Sequence, residues 1–119
     1  MKPQAMLLIL VGLLSGCRVF PGNIGFESSA PKKLWVQRVE GFERNPPVGN
    51  LSQTSNGYSR MGPMKMPDQV TIHWSYQWFK DDFQTVVSLK DMRAPVRDEE
   101  LMFRFTESEN WEVYIKKYR

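Results

Sequence analysis

Cysteine and histidine are almost missing from this chain of 119 residues, which has one of each, Cys17 and His73. A single cysteine excludes an internal disulfide, so the fold depends on its core or on a partner for stability. Clustered cysteine or histidine ligands for a metal are excluded for the same reason. The acidic residues also lack the alternating spacing of a calcium loop. We therefore expect neither a metal nor a cofactor.

Motifs for catalysis are missing as well. The stretch nearest to a nucleophile elbow, Gly-x-Ser-x-Gly, is residues 57–61, and it lacks the second glycine. No glycine-rich phosphate loop is present. His73 alternates with apolar residues, which predicts a place on the polar surface of a strand and not a role as a general base. We predict that the protein is not an enzyme.

Charge of one sign is not in large excess, because 16 basic residues face 13 acidic ones. Such a small imbalance does not supply the basic stripe that binds phosphate backbones, so no nucleic-acid partner is expected. Three cations close the chain: Lys116, Lys117 and Arg119. We interpret them as a solvated chain end, with contact to anionic lipid as the alternative.

The longest apolar run lies near the N-terminus, over residues 5–14 after the positive Lys2. Ten residues span about 15 Å as a helix, half of a bilayer core, so the run is too short to cross a membrane. It ends in Leu14, Ser15 and Gly16, directly before Cys17. This arrangement resembles the lipobox of bacterial lipoprotein precursors, in which those three residues are recognised by the signal peptidase. An ordinary secretory signal with an incidental cysteine is the alternative.

The lipobox resemblance implies that residues 1–16 are a signal peptide and that Cys17 becomes acylated. Two or three acyl chains anchor a protein to a bilayer far more firmly than one. Arg18 follows Cys17 in place of an aspartate that retains lipoproteins at the inner membrane. The resemblance therefore implies the outer membrane, periplasmic side, with the inner membrane as the alternative. Residues 17–33 are rich in Pro, Gly and Ser, which predicts a lipidated cysteine on a flexible tether.

The remaining residues, 34–119, are predicted to form one β-rich domain. Apolar residues alternate with polar ones over 70–78 and again over 83–89, which is typical of a hairpin. Residues 101–105 and 111–115 repeat the pattern as a second hairpin. With a first strand at 34–42, the pattern predicts an all-β fold: a small antiparallel β-sandwich, or a sheet of two hairpins plus an N-terminal strand. One face of the first hairpin, with Trp74, Tyr76 and Trp78, is assigned to the core.

A second resemblance is carried by three stretches of this domain. Residues 67–74 read Pro-Asp-Gln-Val-Thr-Ile-His-Trp, the first hairpin ends in residues 87–89 (Val-Ser-Leu), and residues 111–115 read Trp-Glu-Val-Tyr-Ile. They resemble a family of small proteobacterial lipoproteins that carry a domain of unknown function. Some members resemble immunity proteins encoded beside lipase or other toxic effectors of the type VI secretion system. The resemblance implies a toxin-binding inhibitor and no catalytic residues.

Residues 43–69 are predicted to be a long loop with a short edge strand near 58–61, and loops of this length tend to be functional or disordered. Its methionines, Met61, Met64 and Met66, are interpreted as caps on the core, with an adaptable contact surface as the alternative. Because Tyr and Arg are frequent in binding hot spots, Arg44, Tyr58 and Arg60 are predicted to bind a partner, together with Met64 of the same loop surface. Phe79 is added because it lies at the end of the first hairpin and off its core face. The protein partner is predicted to be a toxin. The alternative is a structural or assembly lipoprotein of the envelope that pairs edge strands with another envelope protein.

Overall fold

The computed structural model describes residues 18–80 and 82–118. The predicted signal peptide, with Leu14, Ser15 and Gly16, and the lipidation site Cys17 lie outside these residues. The described residues form strands and no helix. The strands are β1 (Val19–Phe20), β2 (Asn23–Ser28), β3 (Leu34–Glu40), β4 (Asn50–Leu51), β5 (Gly57–Arg60), β6 (Met64–Lys65), β7 (Gln69–Ser75), β8 (Phe83–Ser88), β9 (Glu99–Phe105) and β10 (Trp111–Lys117).

Two four-stranded sheets face each other, one in the order β10-β9-β2-β5 and the other in the order β4-β3-β7-β8, and β1 and β6 pair separately. The predicted all-β class is therefore confirmed. Both predicted hairpins, β7–β8 and β9–β10, are present with antiparallel pairing. One pair differs from the antiparallel expectation, since β2 lies parallel to β9, with Ile24 beside Leu101.

The prediction of a flexible tether over residues 17–33 is wrong from Arg18 onward, so the domain does not begin at residue 34. Strand β2 lies between β9 and β5, and its inward side chains Ile24 and Phe26 are 0% and 2% exposed. Gly25, which favoured a linker by composition, packs closely against the side chain of Met102. A Cβ atom there would lie 2.3 Å from the Sδ atom of Met102. The tertiary neighbours of β2 thus override its local composition.

The core lies between the two sheets and is built largely from rings. Phe26 stacks on Phe103 with ring centroids 5.0 Å apart, within one sheet. Trp74 of the opposite sheet meets Phe105 edge-on at 4.7 Å. Such aromatic pairs contribute beyond their buried area, so a chain without a disulfide still has a substantial core.

Residues 43–69 contain β4, β5 and β6 and are not a structureless loop. Strand β5 is at the sheet edge, as predicted for residues 58–61. Met64 and Met66 are 2% and 5% exposed, which confirms the core interpretation and contradicts Met64 as an exposed partner anchor. Met64 is buried because β6 pairs with β1 and sets it beside Phe20.

Arg44, another predicted anchor, is engaged with its own chain. Its Nη2 atom donates to the carbonyl oxygens of Met61, Gly62 and Pro63 at 3.0, 3.3 and 3.0 Å. These bonds hold the segment before β6 against the end of β3. The contacts give Arg44 a role in the fold.

His73 is buried, at 4% exposure, and the prediction of a surface histidine is wrong. Strand β7 is central in its sheet, between β3 and β8, and on the face of β7 that carries His73, Thr71 is half-buried and Ser75 is buried. The His73 Nε2 atom bonds to the carboxylate of Glu40 on β3. Alternation separates the two faces of a strand but does not reveal whether the second face is covered.

Candidate protein-binding site

The strands define two opposite ends of the sandwich. The aromatic end is defined here by residues 76–80 and 82, the turn at 106–110 and the segment 29–33. The two hairpins close at this end, where Trp74 pairs with Phe83 and Phe105 pairs with Trp111. The opposite ends of the same strands lie at the Arg18 end, which is defined here by Arg18, residues 61–63 and residues 89–98. A seven-residue strand rises about 3.3 Å per residue, so the two ends are about 20 Å apart.

The aromatic end exposes large rings to solvent. Trp78 is 57% exposed, Phe79 is 80% exposed and Phe83 is 43% exposed. Trp78 contacts Phe79 at 4.7 Å between centroids, and its other neighbour is the half-buried Trp35 at 6.1 Å. Contiguous exposed apolar surface of this kind marks interaction sites.

The exposure of Trp78 contradicts its assignment to the core. Strand β7 ends at Ser75, and the alternation over 70–78 keeps its meaning only while the backbone is extended. Trp74 is buried and Tyr76 is half-buried against the core, as assigned. Phe79 is exposed as expected, while its role in binding a partner stays a prediction.

Hydrogen bonds fix the shape of the turn that carries these rings. The fully buried Ser75 donates through Oγ to the carboxylate of Asp82 at 2.6 Å and accepts from the N–H of Gln77 at 3.0 Å. Phe79 adopts a φ of +61°, a left-handed conformation that non-glycine residues seldom take. The two bonds thus tie both flanks of the turn that carries Trp78 and Phe79 to the buried Ser75. In the sequence, the contact between Ser75 and Asp82 is visible only as a serine and an aspartate that stand seven residues apart.

A shallow groove of about 120 Å³ runs beside the two rings, between residues 35–37, 48–49 and 78–79. Its walls are the rings of Trp35 and Trp78 and the side chain of Val48. An apolar side chain from another protein fits such a groove, because aromatic walls offer large contact areas at low conformational cost. Sequence reasoning missed Trp35 because it stands in the apolar run over residues 34–36, and it missed Trp78 because the alternation over 70–78 continues past the end of β7 at Ser75.

Polar contacts rim the aromatic end. The Tyr76 hydroxyl donates to the Glu109 carboxylate, and the Lys32 ammonium lies 4.2 Å from the centroid of the Tyr76 ring. Burial, together with the bond to Glu109, raises the pKa of Tyr76 to about 12. The hydroxyl therefore stays protonated near neutral pH and links the two hairpin turns.

Two other predicted residues, Tyr58 and Arg60, lie on a different surface, the outer face of β5. The Arg60 guanidinium lies 5.5 Å from the ring centroid of Tyr118. Together with Lys116 and Lys117, these residues line a cleft of about 290 Å³. Both lysines are exposed, whereas Arg119 lies outside the described residues. The structure therefore brings Tyr58 and Arg60 together and separates them from Phe79.

The cleft contains a carboxylate, Glu100, which is only 5% exposed. Burial raises the pKa of Glu100, and the nearby Lys116 and Arg60 oppose that shift in part. The cleft is therefore less uniformly cationic than its rim suggests, because a carboxylate lies among the cations. This mixed polar lining differs from the apolar surface of the aromatic end.

No protein-family model, curated protein or solved structure matches this chain. Across residues 18–80 and 82–118, no group of three or more His, Cys, Asp or Glu side chains is placed to hold a metal ion. The same residues include no helix of the length and apolar character needed to span a membrane. The candidate site is therefore defined by the geometry of its side chains alone.

Proposed function

We propose that the protein is a lipoprotein of the bacterial envelope, anchored through Cys17, whose aromatic end binds a partner protein. The observation that carries the proposal is the exposure of the adjacent rings of Trp78 and Phe79, at 57% and 80%. The proposed partner is a toxin that acts in the periplasm, as the resemblance to immunity lipoproteins implies. The proposed location is the periplasmic side of the outer membrane.

Exposed tryptophan beside exposed phenylalanine favours a specific contact. Binding hot spots are rich in Trp and cluster in well-packed pockets. The groove next to Trp78 supplies such a pocket, and the bonds of Ser75 supply pre-organisation, which lowers the entropy lost on binding. An inhibitor of this kind needs a rigid anchor and no chemistry of its own.

The position of the site agrees with an anchored inhibitor. Cys17 directly precedes Arg18, which defines one end of the sandwich, and the exposed rings are at the other end. A partner could therefore reach the aromatic end without competing with the membrane. This arrangement supports the aromatic end over the Tyr58 cleft as the binding surface.

The test compares two exposed aromatics in the full-length, lipidated protein. We expect Phe79→Ala to weaken binding of the proposed periplasmic toxin about 30-fold or more, the equivalent of a 2 kcal/mol hot spot. Tyr58→Ala is the matched control, because Tyr58 is 54% exposed but lies on the other surface. Affinity is measured with one of the two proteins immobilised on a sensor surface. Equal losses, or no loss in Phe79→Ala, would reject the aromatic end.

Point substitutions are needed here because deleting the segment 50–62 would damage the fold. That deletion removes Leu51, which is fully buried, and all of β5. Loss of binding would then report unfolding and not a lost contact. Phe79, at 80% exposure, can be truncated with little effect on the core.

The second candidate function is envelope assembly by strand addition, and the edge position of β5 favours it. The Met61 N–H bonds inward to Gly22, so by alternation the N–H of Arg60 points away from the sheet. Arg60→Pro would remove this outward donor, and Arg60→Ala would keep it. Assembly lost only in the proline variant would support strand addition. Equal behaviour of the two variants would contradict it.

A further inference from the structure

Arg18, the residue after Cys17, is fixed to the body of the domain. Its Nη1 atom donates to the carbonyl oxygens of Leu89 and Met92 at 3.2 and 2.7 Å, and its Nη2 atom contacts the Asp68 carboxylate at 3.1 Å. Its own carbonyl accepts the N–H of Met66 at 2.9 Å. The chain is therefore held at both the side chain and the backbone of Arg18.

This attachment restricts where a lipid on Cys17 could leave the protein. One peptide bond joins Cys17 to Arg18, and consecutive Cα atoms across a trans peptide are about 3.8 Å apart whatever the conformation of the chain. Strand β1 begins at Val19 and strand β2 at Asn23, so no flexible spacer separates Arg18 from the domain. Acyl chains on Cys17 would start at the surface of the Arg18 end.

The same end carries an apolar groove of about 450 Å³. It is lined by Val19, Phe20, Pro21, Pro63, Pro95, Val96 and Arg97. Val19 and Val96 are 56% and 54% exposed, although both are aliphatic. Aliphatic and proline side chains with no hydrogen-bonding demand suit the boundary between lipid headgroups and acyl chains.

Charged side chains of both signs stand around this groove. Arg97 forms part of its wall, and Lys65 is exposed on β6 beside it. Asp68 is paired with Arg18, and Glu99 is paired with Arg93. Of the acids near the groove, Glu43 bonds through its carboxylate to the Lys65 N–H, and Asp98 is exposed. Glu43 and Asp98 therefore offset the charge of Lys65 and Arg97, and the groove combines apolar walls with a rim of both signs, from which the two cations can approach lipid phosphates.

We propose that the groove at the Arg18 end is seated on the bilayer surface, so that the domain contacts the membrane directly and is not held away from it by a flexible tether. The inference rests on the proposed acylation of Cys17. In this orientation Val19 and Val96 enter the headgroup boundary. The aromatic end then faces away from the membrane, about 20 Å above the seated groove.

The test places a polarity-sensitive fluorophore at each end of the full-length protein in turn. Lipidated protein is purified from membranes and reconstituted into vesicles of phosphatidylethanolamine and phosphatidylglycerol. Acylated Cys17 has no free thiol, so V96C provides the single labelling position. S108C, in the turn between β9 and β10, is the control at the aromatic end. V19C serves as a second position in the groove.

We expect lipids carrying a nitroxide to quench the label on V96C and V19C at least threefold more than the label on S108C. Tryptophan fluorescence like that of the wild type shows that each variant is folded. In folded variants, equal quenching at the two ends would overturn the proposed seating. Wild-type protein that itself takes up the label would show a free Cys17 thiol. That result would reject the lipid anchor, and with it the seating, and is distinct from a failure of the groove alone.

Discussion

The two ends of the sandwich expose apolar groups of different kinds. The Arg18 end presents aliphatic side chains and prolines, with Val19 and Val96 more than half exposed, and the aromatic end presents Trp78 and Phe79. Aliphatic groups make few directional contacts, so they suit a fluid lipid surface. Rings held in a fixed turn suit a partner of defined shape. Exposed apolar surface alone therefore does not show what a site binds. The shape and rigidity of the exposed groups distinguish a surface suited to lipid from one suited to a protein partner.

The largest expected effect tests whether the segment after Arg18 belongs to the fold. Ile24→Ala should lower the free energy of unfolding by about 2–5 kcal/mol, because Ile24 is fully buried in β2 and its loss leaves a cavity. Urea unfolding followed by tryptophan fluorescence measures the change. The nearby Val19→Ala should stay within about 0.5 kcal/mol, since Val19 is exposed. A similar small effect in both variants would mean that β2 acts as a tether.

A smaller effect tests whether the aromatic end is held rigid. Ser75→Ala should lower the free energy of unfolding by about 1–3 kcal/mol, because it leaves the Gln77 N–H and the Asp82 carboxylate without their bonds to Ser75. Amide hydrogen exchange should also speed up over residues 76–80. Ser88→Ala, at an exposed serine of β8, is the control. Unchanged exchange in Ser75→Ala would contradict a pre-organised turn.

The third prediction concerns the loop that carries Val96 at the Arg18 end. Two hydrogen bonds from Arg93, at 2.7 and 2.8 Å, and one from the Val96 N–H lower the pKa of Glu99 from 4.5 to about 2. A carboxylate whose pKa is lower in the folded protein than in the unfolded chain stabilises the fold at pH values above its unfolded pKa. That contribution is lost as pH falls from about 4.5 to about 2.

Glu99→Gln should therefore lose less stability than the wild type over that pH range. Urea unfolding at several values between pH 2.5 and pH 6 compares the slopes. Glu112→Gln, at an exposed position of β10, is the control. Parallel curves for wild type and Glu99→Gln would show that Glu99 does not tie the Val96 loop in this way. Because Glu99 begins β9 next to the Arg18 end, the aromatic end should keep its hydrogen-exchange pattern in this variant.

Much of the second half of the fold was predictable, because β7, β8, β9 and β10 follow the period-two alternation of half-buried strands. Strand β2 was not predictable in this way. Its six residues include Asn, Gly, Glu and Ser, and its neighbour β9 is more than 70 residues away in the chain. Phe79 was expected to be exposed, whereas Trp78 was placed in the core because the end of β7 at Ser75 has no marker in the sequence.

The sequence by itself determined the all-β class and the absence of an internal disulfide, because alternation and cysteine count are local properties of the chain. It also predicted the lipid anchor at Cys17, whose recognition depends on a few consecutive residues. Only the tertiary structure decided that Arg18 is bound to the domain and that Trp78 is exposed while Met64 is buried. Burial depends on neighbours that are distant along the chain, and no local pattern records where those neighbours lie.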